Sequence, residues 1–325
     1  MKNVKKYLTI GIASLGLFVG CSDSRTSEKD VLVNGSRYHV GKNSITQTKS
    51  SFLEDGVIKI GVASDIEGNL EGAIKSAEVM RANKVDAVIL AGDLYENERI
   101  RKNPRYPDSI DNSSEMVNGI KPYAFLNVPV FIIPGNHENK ETYKKAFEIL
   151  KINFDNVFDI NRKKVDMAGV NLVGIGGYHD RNFTDSEGFV LRNSDYNFAR
   201  ESLRDFAEQR EPIVLVSHGP PRSEGEIDYV EGFGHVGDER IRGILEDKLD
   251  SRVINVHGHI HEGGGAKANY GVNGSVFGLG ANYAVNVASV TSYGAKDGGG
   301  SASIMTINGL NRNIDITRVG GRDEK

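Results

Sequence analysis

Five short apolar runs, each followed immediately by a cluster of polar residues, organise the central part of the chain. The runs occupy residues 57–63, 87–90, 130–133, 213–216 and 253–256. Strands that are apolar along almost their whole length are typical of a sheet that is buried on both faces. Helical spacing of apolar positions predicts helices at residues 69–83, 194–209 and 238–249. This alternation of strands and helices predicts an α/β fold.

The glycine-rich end of the chain follows a different pattern. Short apolar runs at residues 275–277, 283–286 and 303–307 alternate there with glycine and polar residues. This arrangement predicts hairpins and edge strands of a second sheet rather than further strand–helix–strand units.

The polar clusters contain seven side chains that could bind metal ions. Because ligands of α/β sheets bind beyond the carboxyl ends of the strands, we expect the clusters to share one edge of the sheet. The candidates are Asp65, Glu67, Asp93, Asn136, His218, His259 and His261. Carboxylates, an amide oxygen and imidazoles without a thiolate suit Mn, Fe or Zn. Asp65 and Glu67 are two residues apart, and so are His259 and His261. This spacing would place the two side chains of each pair on the same side of an extended segment.

The order of these clusters resembles the motifs of the calcineurin-like metallophosphoesterases, which are D-x-H, G-D-x-x-D, G-N-H-[DE], a lone H and G-H-x-H. The chain reads Asp65-Ile66-Glu67, Gly92-Asp93-Leu94-Tyr95-Glu96, Gly135-Asn136-His137-Glu138, His218 and Gly258-His259-Ile260-His261. The resemblance extends over about residues 57–307. It implies an α/β fold of the family's kind, a four-layer α/β/β/α sandwich of two mixed sheets, and hydrolysis of a phosphomonoester or a phosphodiester.

The resemblance also implies a role for each residue. Two divalent metal ions would share Asp93 as a bridging ligand. The remaining ligands divide into Asp65, Glu67 and His261 for one ion, and Asn136, His218 and His259 for the other. His137 would be the catalytic group, which protonates the leaving oxygen or stabilises charge on the phosphoryl group. The nucleophile would be a hydroxide that bridges the two ions, since two such cations acidify bound water.

Glu67 stands where the family normally has histidine. A carboxylate still binds metals, but it lowers the charge of the loaded site by one. We therefore expect a preference for harder cations, with Mn²⁺ favoured and Fe or Zn as alternatives. A competing interpretation is a non-catalytic surface lipoprotein that uses the same fold to bind a ligand or partner. The presence of Asn136, His137 and the His259/His261 pair argues against it.

The N-terminal residues are typical of a targeting signal. Three lysines precede an apolar run at residues 7–19, which is shorter than the ~20 residues needed to span a bilayer. Gly20 and Cys21 follow, and the segment resembles a bacterial lipoprotein signal with Cys21 as the lipid attachment site. An ordinary secretory signal with an incidental cysteine is the alternative.

The domain boundaries follow from this interpretation. Residues 1–20 would be a signal peptide. Residues 21–54, which are polar and show no sustained periodicity, would be the lipidated cysteine and a tether. Residues 55–320 would form the phosphoesterase domain, anchored through its lipid to the outside of a bacterial membrane.

Composition narrows the remaining options. The chain has 325 residues, with 40 Lys and Arg against 44 Asp and Glu, so that no nucleic-acid-binding surface is evident. Cys21 is its one cysteine, which excludes an intrachain disulfide framework. Arg99 and Arg101, in a basic loop at residues 96–111, and His235 are candidates for contacting substrate phosphate. A solvated charged loop is the alternative. The sequence selects neither a substrate nor an oligomeric state.

Overall fold

The computed structural model describes residues 28–49, 56–96, 112–167, 169–209, 211–270, 282–288, 290, 300–308 and 313–320. The signal peptide, Cys21, Arg99, Arg101 and the apolar run at 275–277 lie outside the described residues. No helix within these ranges is long and apolar enough to cross a membrane.

Within the described ranges the chain forms seventeen strands and five α-helices. The strands are β1 Lys29–Val33, β2 Ser36–Val40, β3 Ser44–Lys49, β4 Val57–Ala63, β5 Ala87–Ala91, β6 Val130–Ile133, β7 Val157–Asp159, β8 Lys163–Met167, β9 Val170–Ile175, β10 Ile213–Ser217, β11 Tyr229–Val230, β12 Gly234–His235, β13 Val253–His257, β14 Lys267–Tyr270, β15 Asn282–Asn286, β16 Ala302–Asn308 and β17 Asn313–Val319. The helices are α1 Leu70–Ala82, α2 Ser113–Ala124, α3 Lys140–Asn153, α4 Asn193–Ala207 and α5 Glu239–Glu246.

Two large mixed sheets face each other. One has six strands in the order β17-β16-β4-β5-β6-β7, and the other has nine in the order β1-β2-β3-β8-β9-β10-β13-β15-β14. Side chains such as Ile60, Phe131 and Val214 fill the space between the sheets. A second core lies between the six-stranded sheet and helices α1 to α3, and a third between the nine-stranded sheet and helices α4 and α5. The predicted four-layer α/β/β/α sandwich is confirmed.

All five predicted apolar runs are fully or largely buried strands, β4, β5, β6, β10 and β13. Strands β4, β5 and β6 are parallel neighbours in one sheet, and β10 and β13 are parallel neighbours in the other. A bridge between Ser64 and Ala288 connects the two sheets just beyond β4. The carboxyl ends of these strands therefore meet at one edge of the sandwich, as the sequence analysis predicts.

Residues 29–49, which the sequence analysis assigns to a polar tether, instead form β1, β2 and β3 of the nine-stranded sheet. The hairpin between β1 and β2 turns at Asn34 and Gly35, whose φ angles are 46° and 79°. Positive φ at both positions is characteristic of a tight hairpin turn. Val31, Tyr38 and Ile45 are buried between the sheets, so this part of the tether prediction is wrong.

The C-terminal strands extend both sheets. Strands β16 and β17 form an antiparallel pair, and β16 also pairs antiparallel with β4. Strand β15 pairs parallel with β13 and antiparallel with β14, at the edge of the nine-stranded sheet. The predicted hairpins and edge strands are thus present, although β15 continues the parallel part of the larger sheet.

Candidate metal centre

Three of the loops at the shared edge, those after β4, β5 and β13, turn sharply directly after their strand. Asp65, Glu67, Asp93 and His259 have φ angles of 57°, 45°, 52° and 71°. A positive φ is uncommon for residues other than glycine and is concentrated at functional sites. The Asp65–Glu67 segment is therefore not extended, and turns rather than strand alternation bring its two carboxylates to the site. His261 begins a short 3-10 helix that ends at Gly263.

One half of the cluster is built around Asp65. Nε2 of His261 lies 3.4 Å from Asp65 Oδ1 and 3.5 Å from Glu67 Oε1. The backbone N–H of His259 donates to Asp65 Oδ1 at 3.0 Å, and the hydroxyl of Ser64 donates to Asp65 Oδ2. The loops after β4 and β13, which belong to different sheets, are therefore joined through one buried carboxylate.

The other half is built around Asp93. Nε2 of His218 lies 2.7 Å from Asn136 Oδ1 and 3.2 Å from Asp93 Oδ2. Nδ1 of the same ring lies 2.9 Å from the carbonyl oxygen of Ala91, which fixes the ring orientation. Ligand atoms of Asp93, His218 and His259 all lie within 4.8 Å of one another, as three ligands of one ion require.

His137 lies between the two halves. Its Nδ1 is 3.8 Å from Glu67 Oε1 and its Nε2 is 3.7 Å from Asp93 Oδ2. Its backbone N–H donates to Asp93 Oδ1 at 3.0 Å. Glu67, Asp93 and His137 form a second compact group of potential ligand atoms, so that Asp93 belongs to both groups.

The cluster concentrates buried charge. Asp65 and Asp93 are almost fully buried, and buried carboxylates are unfavourable unless they are paired with positive charge. Burial opposes protonation of His218, but the neighbouring Asp93 outweighs it and raises the pKa of His218 to about 10. In the same way, Asp65 outweighs burial and raises the pKa of His261 to about 9. Burial lowers the pKa of His259 to about 3, which keeps its imidazole neutral and its lone pair available.

This donor set fits two divalent cations. Three carboxylates, an amide oxygen and three imidazoles converge at the edge, without a thiolate. His218 and His261, the two imidazoles with raised pKa values, are protonated because carboxylate oxygens surround them. A bound cation would replace these protons and supply the same positive charge. All seven candidate ligands are connected through the contacts described above.

Two glycines make the close approach of the loops feasible. A Cβ atom on Gly135 would lie 2.1 Å from Asp93 Oδ1, and one on Gly258 would lie 2.3 Å from Asp65 Oδ2. Both distances are far shorter than any van der Waals contact. Side chains at these positions would therefore displace the two central carboxylates.

Glu138 is a structurally important residue to which the sequence analysis assigns no role. Its buried carboxylate accepts hydrogen bonds from the backbone N–H groups of Asp93 at 3.1 Å, Leu94 at 2.7 Å and Gly135. Burial, reinforced by the negative charge of Asp93, raises the pKa of Glu138 to about 7. Glu138 joins the loop after β5 to the loop after β6, a tertiary contact that its place in the motif does not reveal.

Tyr178 is a second such residue. Its ring centroid lies 4.2 Å from that of His259, and its hydroxyl donates to the carbonyl oxygen of Val236 at 2.7 Å. His235, which the sequence analysis proposes as a substrate contact, has its Nδ1 2.8 Å from Asp228 Oδ1 and packs against Tyr229. It lies in the hairpin of β11 and β12.

The sandwich and the ligand cluster at its edge are those of a metal-dependent phosphoesterase. A sequence profile described as calcineurin-like phosphoesterase matches residues 58–263. The chain therefore belongs to the calcineurin-like phosphoesterase family, which uses a dinuclear metal centre, and the expectation of a hydrolase acting on phosphoester bonds is confirmed.

Two curated relatives are similar over part of the chain. An uncharacterised protein of Methanocaldococcus jannaschii is 26% identical over 208 residues, which are 63% of this chain and 81% of that protein. A probable glycerophosphodiester phosphodiesterase of Arcobacter nitrofigilis is 23% identical over 181 residues, which are 55% of this chain and 57% of that protein. The match thus spans little more than half the length of the second relative.

Solved structures share the fold at low sequence identity. A protein of Thermus thermophilus, TT1561, has a TM-score of 0.50 and 16% identity, covering 81% of this chain and all of that one. A dimetal phosphatase from Danio rerio has a TM-score of 0.50 and 10% identity, covering 82% of this chain and all of that one.

Proposed function

We propose that the protein hydrolyses a phosphomonoester or phosphodiester at a dinuclear metal centre. Asp65, Glu67 and His261 would hold one ion, and Asn136, His218 and His259 the other, with Asp93 shared between them. The observation that carries this proposal is the convergence of all seven side chains, from five strand ends and both sheets, into one connected cluster.

When bound, the two cations would polarise a phosphoryl oxygen and acidify a water molecule. The protein's own contribution is to hold the ligands rigidly and to place His137 beside them. The side chain of His137 is 18% exposed, whereas that of Asp93 is 2% exposed, so His137 can reach a bound ester from the wall of the site. We assign to it the proton that the leaving oxygen takes up.

Phosphodiesters should be tested beside monoesters. The relative from Arcobacter nitrofigilis is named a probable glycerophosphodiester phosphodiesterase, and it matches this chain over 181 residues. A panel of mono- and diesters, assayed separately with Mn²⁺, Fe²⁺, Zn²⁺ and Mg²⁺, would identify both the ester class and the metal preference. Mn²⁺ is the expected optimum because Glu67 adds a hard oxygen ligand.

The decisive experiment combines metal content with turnover. We expect two metal ions per chain by mass spectrometry, and hydrolysis of a nitrophenyl phosphoester that His137→Asn lowers about a hundredfold or more. His39→Asn is the matched control, because His39 is an exposed histidine on β2 that pairs with Asp30. A metal-free protein that stays inactive after Mn²⁺ is added would contradict the proposal and favour the non-catalytic binding protein.

We also propose that the enzyme is a lipoprotein on the outside of a bacterial membrane, anchored through Cys21. The apolar run at residues 7–19 followed by Gly20 and Cys21 supports this. Metabolic labelling with a radioactive fatty acid should label the wild-type chain and not Cys21→Ala. Equal labelling of both, or a chain released as a soluble secreted protein, would contradict lipid attachment.

A further inference from the structure

Two exposed phenyl rings meet beside the metal centre. The ring centroids of Phe183 and Phe233 lie 5.9 Å apart, and their planes are inclined by 80°. Phe183 is 41% exposed and Phe233 is 67% exposed. Single exposed apolar residues are ordinary. These two rings, however, come from separate loops and contact each other edge to face while both remain open to solvent. We call this pair the aromatic rim.

The first side of the aromatic rim is bonded directly to a predicted metal ligand. Phe183 ends a short 3-10 helix, Arg181–Phe183. The side-chain amide of Asn136 donates to the carbonyl oxygen of Phe183 at 2.8 Å. The backbone carbonyl oxygen of Asn136 accepts from the N–H of Asp185 at 3.0 Å. Asn136 therefore holds this segment against the site with both its side chain and its backbone.

The second side is the hairpin of β11 and β12. Phe233 lies at its tip between Gly232 and Gly234, whose φ angles are 84° and 79° and which have no neighbouring atoms where a Cβ would stand. Buried Asp228 fixes the base of the hairpin through its Oδ1, which lies 2.8 Å from His235 Nδ1. The hairpin is thus an anchored projection that carries a phenyl ring into solvent.

The same hairpin is tied to a second predicted ligand of the same ion. The hydroxyl of Tyr178 donates to the carbonyl oxygen of Val236, directly after β12, and the Tyr178 ring packs against His259. Asn136 and His259 are both assigned to the same ion, the one that His218 would also hold. Asp93 would bridge this ion to the second one. Both sides of the aromatic rim therefore start from the same half of the metal centre.

We propose that the aromatic rim receives a flat aromatic group of the substrate, a nucleobase or another aryl group, while the phosphoryl group lies at the metals. This inference rests on the proposed function and narrows its substrate class. Aromatic rings attract other flat π-systems by stacking and edge-to-face contact, and such contacts tolerate different ring structures. A glycerol or simple alkyl ester would have no comparable contact with the two rings.

A second aromatic pair shows how the rim differs from ordinary surface aromatics. Phe125, which is 65% exposed, meets Phe154 edge to face at 5.3 Å. That pair lies where α2 ends and α3 ends, on the helical layer. It shares the ring geometry and an exposed phenyl group with the aromatic rim but not its connection to the metal ligands, so Phe125→Ala is the control.

The test measures selectivity in the full-length chain loaded with Mn²⁺. One substrate pair is AMP and ribose 5-phosphate, and the other is p-nitrophenyl phosphocholine and glycerophosphocholine. In each pair the first ester carries a flat aromatic group and the second lacks it. The measured ratio is kcat/KM for the aromatic ester divided by kcat/KM for its partner. We expect the double variant Phe183→Ala/Phe233→Ala to lower this ratio about tenfold in at least one pair, mainly by raising KM for the aromatic ester. A drop with AMP assigns a nucleobase, and a drop with the nitrophenyl ester assigns a simpler aryl group.

The control and a binding measurement keep the outcome interpretable. Phe125→Ala should leave both ratios as in the wild type. If the double variant also leaves both unchanged while the wild type turns over its esters, the aromatic rim has no such role. If no ester is hydrolysed, the proposed function fails. In that case calorimetry tests the aromatic rim separately by comparing affinities. The wild type should bind AMP at least about fivefold more tightly than ribose 5-phosphate, and the double variant should bind the two equally.

Discussion

Replacing Glu138 with glutamine should destabilise the fold and weaken metal binding together, because one carboxylate holds two of the loops that carry ligands. Oε2 accepts from the N–H groups of Asp93 and Gly135, and Oε1 accepts from Leu94. A glutamine carbonyl can replace only one of these oxygens. If it accepts the first two hydrogen bonds, the amide NH₂ group faces the N–H of Leu94, and a buried donor loses its partner.

The expected magnitude follows from these three hydrogen bonds. A buried donor left without a partner costs about 1–3 kcal/mol. Each of the other two changes from a charge-assisted to a neutral hydrogen bond, which is roughly half as strong. Removing the negative charge beside Asp93 offsets part of the loss. We expect Glu138→Gln to lower the free energy of unfolding by about 2–4 kcal/mol, a large part of the ~5–15 kcal/mol typical of a domain.

Urea denaturation of the metal-free protein at about pH 8, where the Glu138 carboxyl with its pKa of about 7 is mostly ionised, measures this free energy, and titration with Mn²⁺ measures the affinity. Glu148→Gln is the control, since Glu148 is an exposed carboxylate on the outer face of α3 that approaches Lys144 at 3.9 Å. It should change stability by less than about 0.5 kcal/mol. A Glu138→Gln protein as stable as this control, with wild-type affinity for Mn²⁺, would refute the reasoning.

Three further predictions concern the same site. Glu67→His should raise activity with Zn²⁺ relative to Mn²⁺, measured as a ratio of kcat/KM values, and an unchanged ratio would contradict the role given to this carboxylate. Gly135→Ala should abolish metal binding in calorimetry, because its Cβ would lie 2.1 Å from an oxygen of Asp93, whereas Gly225→Ala, with no neighbour closer than 3.6 Å, should not. Removing metal with a chelator should lower Tm by about 5–10 °C, since saturation at roughly a hundredfold excess over Kd adds about 2.7 kcal/mol, and Asp93→Asn should reduce that difference.

The strands that position the site are predictable because they are apolar along their whole length. A sheet covered on both faces requires such strands, and β4, β5, β6, β10 and β13 all carry this signal. Helix α3 is not among the helices predicted from the sequence, although Tyr143, Ala146, Phe147 and Leu150 lie on one buried face and Asn139 caps it. Helix α2 is harder to predict, because Gly119 and Pro122 interrupt its periodicity.

The first three strands illustrate where a compositional argument fails. Residues 29–49 are polar overall, since only alternate side chains of these strands point into the core. Leu32, for example, is largely exposed, whereas Val31 and Val33 beside it are buried. The dipeptide Asn34-Gly35 is the local signal of a hairpin, and it outweighs the polar composition around it.

The candidate ligands are predictable from their order in the sequence, but the residues that hold them are not. Glu138 and Tyr178 act through contacts with residues distant in the sequence, namely Asp93 and His259. Such pairings depend on how the two sheets face each other, which local spacing does not encode. Asp65 and Glu67 are neighbours at the site, as their i,i+2 spacing predicts, but a turned rather than an extended backbone brings them together.

The backbone conformation of the candidate ligands indicates that this edge is maintained for chemistry rather than for stability. Four of the seven candidates adopt a left-handed backbone, a conformation that costs about 1–3 kcal/mol at each such residue. Asp65 and Asp93 add buried negative charge at the same place. Neither feature improves packing, and the strand ends could turn at lower energy through glycine. The packing of the three cores therefore offsets two costs at this edge, the strained backbone and the buried negative charge. Bound cations would relieve the electrostatic cost. For this reason the site depends on the stability of the whole fold.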